Sequence, residues 1–133
     1  MTSEEHPSVM FCGTKFNLNL KRNDVIAIDF DGTLFETFKP YDPRKAGPPV
    51  MKMIKFVKGL LQKGKKVVIF TARVNSKEHT PAQIKYTHKL IGGLCKKYLG
   101  QRLPITSEKH HLMSTIYDDR AIQVERNTGR IIK

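Results

Sequence analysis

The chain has 133 residues, with 24 Lys and Arg against 12 Asp and Glu, two Cys, no Trp and 39% apolar residues. A domain of that size buries roughly two-thirds of its unfolded surface, so it can hold a core without disulfides or a structural metal. Its longest apolar runs, such as residues 25–28 and 67–70, fall far short of the roughly 20 residues of a membrane span, and the acidic opening MTSEEHPSVM lacks the cationic and apolar segments of a secretory leader. These features predict a cytoplasmic protein with no membrane partner. Cys12 and Cys95, without a CxxC or His-rich neighbourhood, read as free thiols.

Residues 1–22 predict a polar tail and then a short strand, where Phe16, Leu18 and Leu20 alternate; residues 23–133 follow as a single domain. Residues 25–30, VIAIDF, form the β-branched run of a strand buried on both faces. Pro40, Pro43, Gly47, Pro48 and Pro49 make residues 34–49 loop and turn. Val50, Met51, Met53, Ile54, Val57, Leu60 and Leu61 recur at helical spacing until Gly64. Residues 66–70 predict a second buried strand. Pro81 starts a second helix, with Ile84, His88, Ile91, Leu94, Cys95 and Tyr98 on one face, and Gly100 ends it. Residues 103–106 and 114–117 predict a third and a fourth strand, and 121–124 with 130–132 a hairpin around a turn at 127–129. This alternation predicts an α/β fold: a Rossmann-like open parallel sheet flanked by helices.

The charge is unevenly spread. Between Asp42 and Glu108 the only acid is Glu78, against 15 Lys and Arg. Single lysines such as Lys52, Lys55 and Lys58 suit the solvated face of a helix, but the whole imbalance, net +12, predicts attraction to polyanions at low salt.

Reactive groups in open α/β sheets lie beyond the carboxyl ends of the strands. Here those positions hold Asp29 and Asp31, then Thr71, then Lys109, then Asp118 and Asp119. Four carboxylates in one crevice repel unless a cation lies among them, and an all-oxygen set suits Mg2+. Asp29 and Asp31, two apart in extended chain, point to the same side and can address one substrate atom. One carboxylate can attack phosphorus to give an aspartyl-phosphate, while the other carries a proton to the leaving oxygen and then activates water. Thr71 and its neighbouring amides can hold phosphoryl oxygens, and Lys109 can offset the negative charge that spreads over them. Each residue also fits a plain role, as turn former or helix cap. Four such coincidences, in one order at four strand ends, favour the chemical reading.

Asp29-Phe30-Asp31-Gly32-Thr33-Leu34 resembles the DxDGT first motif of phosphatases in the haloacid dehalogenase (HAD) superfamily. Val68-Ile69-Phe70-Thr71 resembles the second motif, Lys109 fits the third, and Ile116-Tyr117-Asp118-Asp119 fits the acidic fourth, all in the family's order across residues 25–124. The resemblance implies a HAD-like core in which Asp29 is the nucleophile and Asp31 the general acid/base, its backbone carbonyl also binding Mg2+. It implies that Thr71 and Lys109 hold the phosphate and that Asp118 and Asp119 complete the metal site. Arg73 and Arg120, beside the second and fourth motifs, are placed to reach a substrate phosphate or to neutralise carboxylates; Arg73 is counted here with Thr71 and Lys109 as substrate-binding. His110 and His111 have no third ligand of their kind suitably spaced and read as loop residues.

Superfamily members that act on small metabolites usually carry an inserted cap domain. Only 40 residues separate Asp31 from Thr71 and 38 separate Thr71 from Lys109, and one helix with its connections fills most of each interval. The resemblance is therefore to capless members, whose open sites accept a phosphate on a large molecule or borrow a lid from a neighbouring subunit. An open cleft beside a basic surface makes a nucleotide or a phosphorylated nucleic-acid end the expected substrate; oligomerisation has no signature of its own in this chain. Two other classes share part of the pattern. A phosphoacceptor receiver domain also groups acids, a Thr and a Lys at strand ends, but it places its acid pair first and its lone acceptor later, the reverse of this chain. A non-catalytic nucleic-acid-binding domain on the same fold calls for aromatic platforms, whereas aromatics are 8% of this chain and Phe30, Phe56 and Phe70 read as core.

Overall fold

The computed structural model describes residues 8–11, 14–17 and 24–132. β1 (Ser8–Phe11) and β2 (Thr14–Asn17) pair antiparallel, so part of the expected polar tail is itself strand. Leu18, Leu20 and Cys12 lie outside the described residues. The β-branched runs become the centre of one sheet. β3 (Val25–Asp29), β4 (Lys66–Phe70), β5 (Ile105–Thr106) and β6 (Met113–Tyr117) are all parallel, in the order β5-β4-β3-β6. α1 (Met51–Gln62) connects β3 to β4; a single 3₁₀ turn (Ala72–Val74) and α2 (Pro81–Leu99) connect β4 to β5. The fold is α/β, with one α-helix in each of those two intervals. β7 (Gln123–Val124) and β8 (Ile131–Ile132) pair as the expected hairpin, its turn passing through Asn127 and Gly129 at positive φ.

Local chemistry sets the ends of α2. Thr80 and Gln83 form a reciprocal capping box, with the Thr80 hydroxyl accepting from the Gln83 N–H at 3.2 Å and the Gln83 side chain accepting from the Thr80 N–H at 2.9 Å. Pro81 occupies the first turn, where its missing N–H costs nothing, and Gly100 at φ 86° takes the left-handed exit. Of the expected face, Ile91 and Cys95 are buried and Leu94 and Tyr98 pack half-buried beside them, but His88 is exposed and its neighbour Thr87 is buried. The small Thr87 thus takes the inward place, which spares an imidazole from burial. Burial also pushes the Cys95 thiol up to about 11, so it is an unreactive core group.

Two apolar clusters sandwich the sheet. Ile28, Val67 and Ile69 pack with Ile54 and Val57 of α1 and with Ile91, Cys95 and Leu99 of α2. The opposite face, Val25, Ala27 and Val68, packs with Leu112 and the half-buried Phe70, Met113 and Ile116. Phe56, expected in the core, is 39% exposed and meets Tyr117 edge-on at 5.0 Å. Register then aligns the strand ends: Asp29 lies opposite Phe70 and Ile28 opposite Tyr117. Thr71 and Asp118, one residue further on, therefore leave the sheet at the same edge as Asp29.

Candidate active site

The turn after β3 is anchored from below. The Phe30 carbonyl accepts from the N–H of Leu34 and Phe35 at 3.1 and 3.0 Å, the Gly32 N–H donates to the Phe35 carbonyl at 2.7 Å, and Gly32 takes φ 84°. Phe30, Leu34 and Phe35 are fully buried, with the two phenyl rings 4.9 Å apart. Burial contributes roughly 1.5–3 kcal/mol for each such side chain, enough to hold the turn while its polar residues, Asp29, Asp31 and Thr33, crowd other charges above it.

Asp29, Asp118 and Asp119 come together, each offering an oxygen within 4.8 Å of the others. Thr33 ties two of them: its hydroxyl lies 3.1 Å from Asp29 Oδ2 and 3.2 Å from Asp119 Oδ1, and accepts the Asp119 N–H at 3.0 Å. Asp118 is oriented by the Arg120 N–H, which donates to its Oδ1 at 2.8 Å. Burial, helped by a hydrogen bond with Asp119 and the charge of Asp118, pushes the Asp29 carboxyl up to about 7, while the same Asp29 hydrogen bond holds Asp119 below the usual carboxylate range. The crowding that raises Asp29 is the repulsion that a cation between these acids would relieve. The oxygen-only set fits a hard divalent ion, which commonly takes carboxylates and completes its shell with water.

This arrangement has a pH signature. Asp29 has a folded value of about 7, above its ordinary 3.8, so its contribution to stability is complete below about 4 and is lost as pH rises through 7. Asp119, shifted the other way, acts only at the acid end. Metal-free protein should therefore melt at progressively lower temperature between pH 5 and 8, and added Mg2+ should restore most of that loss at pH 8. A melting temperature that is flat across this range, with or without metal, would contradict the arrangement.

Asp31 does not join the other three acids through its side chain. Both of its oxygens accept from Arg73, at 2.7 Å from Nε and 2.8 Å from Nη2, and Arg73 is 3% exposed. The expected four-carboxylate group is thus three and one, because a buried guanidinium claims the fourth. Burial alone pulls the Arg73 guanidinium down, but its hydrogen bonds to Asp31 and the charge of Asp31 outweigh this and leave it raised. Of the two parts open to Arg73, carboxylate pairing is the one seen. Its remaining nitrogen, Nη1, donates to the Pro43 carbonyl at 3.3 Å, so each guanidinium nitrogen already has a protein partner.

Asp29, Asp31, Thr71, Arg73, Asp118 and Arg120 line one cavity of 590 Å³ at this sheet edge. Thr71 is buried; its N–H donates to the Thr106 carbonyl at 2.8 Å and its hydroxyl accepts the Arg73 N–H at 3.2 Å, so it also caps the 3₁₀ turn. Lys109 is exposed on the loop after β5 and is not among the residues lining the cavity; Ser107, two residues earlier, is. His110 stacks on His111 at 4.4 Å and accepts the Leu112 N–H through Nδ1, a loop role away from the acidic group.

Fold and site together define an α/β protein with an acidic crevice at the carboxyl edge of a parallel sheet. Compared with family models, curated proteins and solved structures, the chain matches none. Several residues in and beside the cavity, among them Thr33 and Tyr41, were not singled out from the sequence. Thr33 stands inside the DxDGT string four residues after Asp29, which was its available signal; Tyr41, in a proline-rich loop without periodicity, had none.

Proposed function

We propose that this chain is a Mg2+-dependent phosphomonoester hydrolase of the HAD phosphatase kind, working through an aspartyl-phosphate on Asp29. The observation that carries this is the grouping of Asp29, Asp118 and Asp119, with an oxygen of each within 4.8 Å of the others, beside a cavity that Asp29 and Asp118 line together with Asp31 and Thr71. Asp29, Asp118 and Asp119 would hold the ion, which supplies charge neutralisation for phosphoryl oxygens. Asp29 Oδ attacks phosphorus, the bond from phosphorus to the ester oxygen breaks, and that oxygen leaves with a proton. Water then attacks the same phosphorus, the bond to Asp29 breaks, and inorganic phosphate departs. Thr71 borders the incoming phosphoryl group, and Arg120 is the exposed cation that lines its path.

Asp31 is the proton carrier of this scheme. Each of its oxygens gives one lone pair to the Arg73 fork and keeps another, so Arg73 sets the direction of the carboxyl. Arg73→Lys, which keeps the charge but not the two parallel bonds, should lower kcat about tenfold to a hundredfold and shift the pH profile of kcat. An unchanged pH profile would remove Arg73 from this role.

The test of the whole reading is turnover of an aryl phosphate in Mg2+ and its loss with EDTA. Asp31→Asn should slow hydrolysis and, on intact mass, accumulate a phosphate adduct. Phosphorylation that stops at one equivalent in the wild type would instead indicate a receiver-like acceptor.

A further inference from the structure

Residues 36–49 form a loop that is closed on itself. The Glu36 N–H donates to the Pro48 carbonyl at 2.8 Å and the Val50 N–H to the Leu34 carbonyl at 2.9 Å, while buried Gly47 rests so close on the Glu36 carbonyl that no Cβ would fit. Arg73 fastens the far side through the Pro43 carbonyl, and Asp42 folds the tip by accepting the Arg44 N–H at 2.9 Å. On this frame stands Tyr41, 54% exposed and lining the same cavity as Asp29 and Asp118. The Arg73 guanidinium lies 5.1 Å from the centroid of its ring, so one face is covered by a cation and the rest of the side chain meets solvent. An exposed aromatic on so closed a loop, at the mouth of the crevice where the proposed reaction takes place, has no role in the core.

We propose that Tyr41 is a stacking platform for the nucleobase of a nucleoside phosphate whose phosphate enters at Asp29; this rests on the phosphohydrolase reading and names its substrate class. Two features favour a nucleobase over other groups. Stacking on a tyrosine ring rewards a flat, extended π-face. The Arg73 cation behind the ring increases its attraction for an electron-rich face. Charge does not choose between these groups, since Asp29, Asp31, Glu78 and Asp118 line the cavity against Arg73 and Arg120. A cavity of 590 Å³ has room for a phosphate and a base together.

The experiment is equilibrium binding by titration calorimetry in Mg2+, with full-length wild type, Tyr41→Ala and Tyr41→Phe. The probes are adenosine 5′-monophosphate, ribose 5-phosphate, O-phosphotyrosine and a 5′-phosphorylated oligonucleotide. Wild type should bind the adenine nucleotide about tenfold more tightly than ribose 5-phosphate, Tyr41→Phe should keep that preference, and Tyr41→Ala should bring the nucleotide down to the level of the sugar phosphate. Equal binding of nucleotide and sugar phosphate by the wild type, a preference that survives Tyr41→Ala, or phosphotyrosine binding as tight as the nucleotide would each overturn the proposal. A Tyr41-dependent gain confined to the oligonucleotide would likewise overturn it, placing the platform at strand ends, whereas a gain shared with the monomer supports it. Turnover is measured separately: absent hydrolysis with the preference intact overturns the hydrolase reading and leaves the platform standing.

Discussion

Asp29→Asn should abolish turnover, lowering kcat by at least about 10³-fold, which corresponds to about 4 kcal/mol of barrier, while leaving the fold intact. The amide is nearly isosteric with the acid and sits at the end of β3, where the strand's register with β4 and β6 is fixed by backbone pairing and by Ile28 and Phe30 beneath it. It cannot form the acyl phosphate. It also removes the crowded carboxyl that burial and Asp118 destabilise, so the metal-free variant should be at least as stable as the wild type above pH 7. Activity assays paired with thermal melts at pH 8 check both halves. Residual activity within tenfold of the wild type would place the nucleophile elsewhere, and a collapse in melting temperature would make Asp29 structural.

Gly32→Ala should be nearly as damaging, through geometry instead of chemistry. Gly32 sits at φ 84°, a conformation that costs an L-residue roughly 1–2 kcal/mol, and a Cβ there would lie 2.7 Å from Asp119 Oδ2. The Asp119 carboxyl would have to swing away, giving up its bond with the Thr33 hydroxyl. The expected result is a fall of about 5–10 °C in melting temperature together with at least tenfold weaker Mg2+ binding. A Thr33→Val variant separates the two effects, because it unties Asp119 without straining the backbone. If Gly32→Ala bound Mg2+ as the wild type does, the close approach of Gly32 to Asp119 would have no part in the site.

The strands and the strand-end acids were legible because each rests on a short-range signal. Residues 25–29 and 66–70 are β-branched and apolar, and the acid or Thr at the end of each run can only emerge at the sheet edge. Thr80, Pro81 and Gly100 likewise mark α2 through local capping. What escaped depends on contacts far apart in sequence. The direction of the Asp31 side chain is set by Arg73, 42 residues away, and the exposure of Lys109 by a loop with no periodicity. On the expected face of α2 His88 was misplaced, because His88 and Thr87 are equally compatible with helical spacing and only packing chooses between them.

The stapling of residues 36–49 also bears on the thermodynamics of recognition. Since their order is established when the chain folds, a ligand arriving at Tyr41 has no disordered segment to organise, and the entropy of that step is spent before binding begins. Calorimetry over a range of temperatures should accordingly give a small heat-capacity change, in proportion to the apolar area covered by one flat ring.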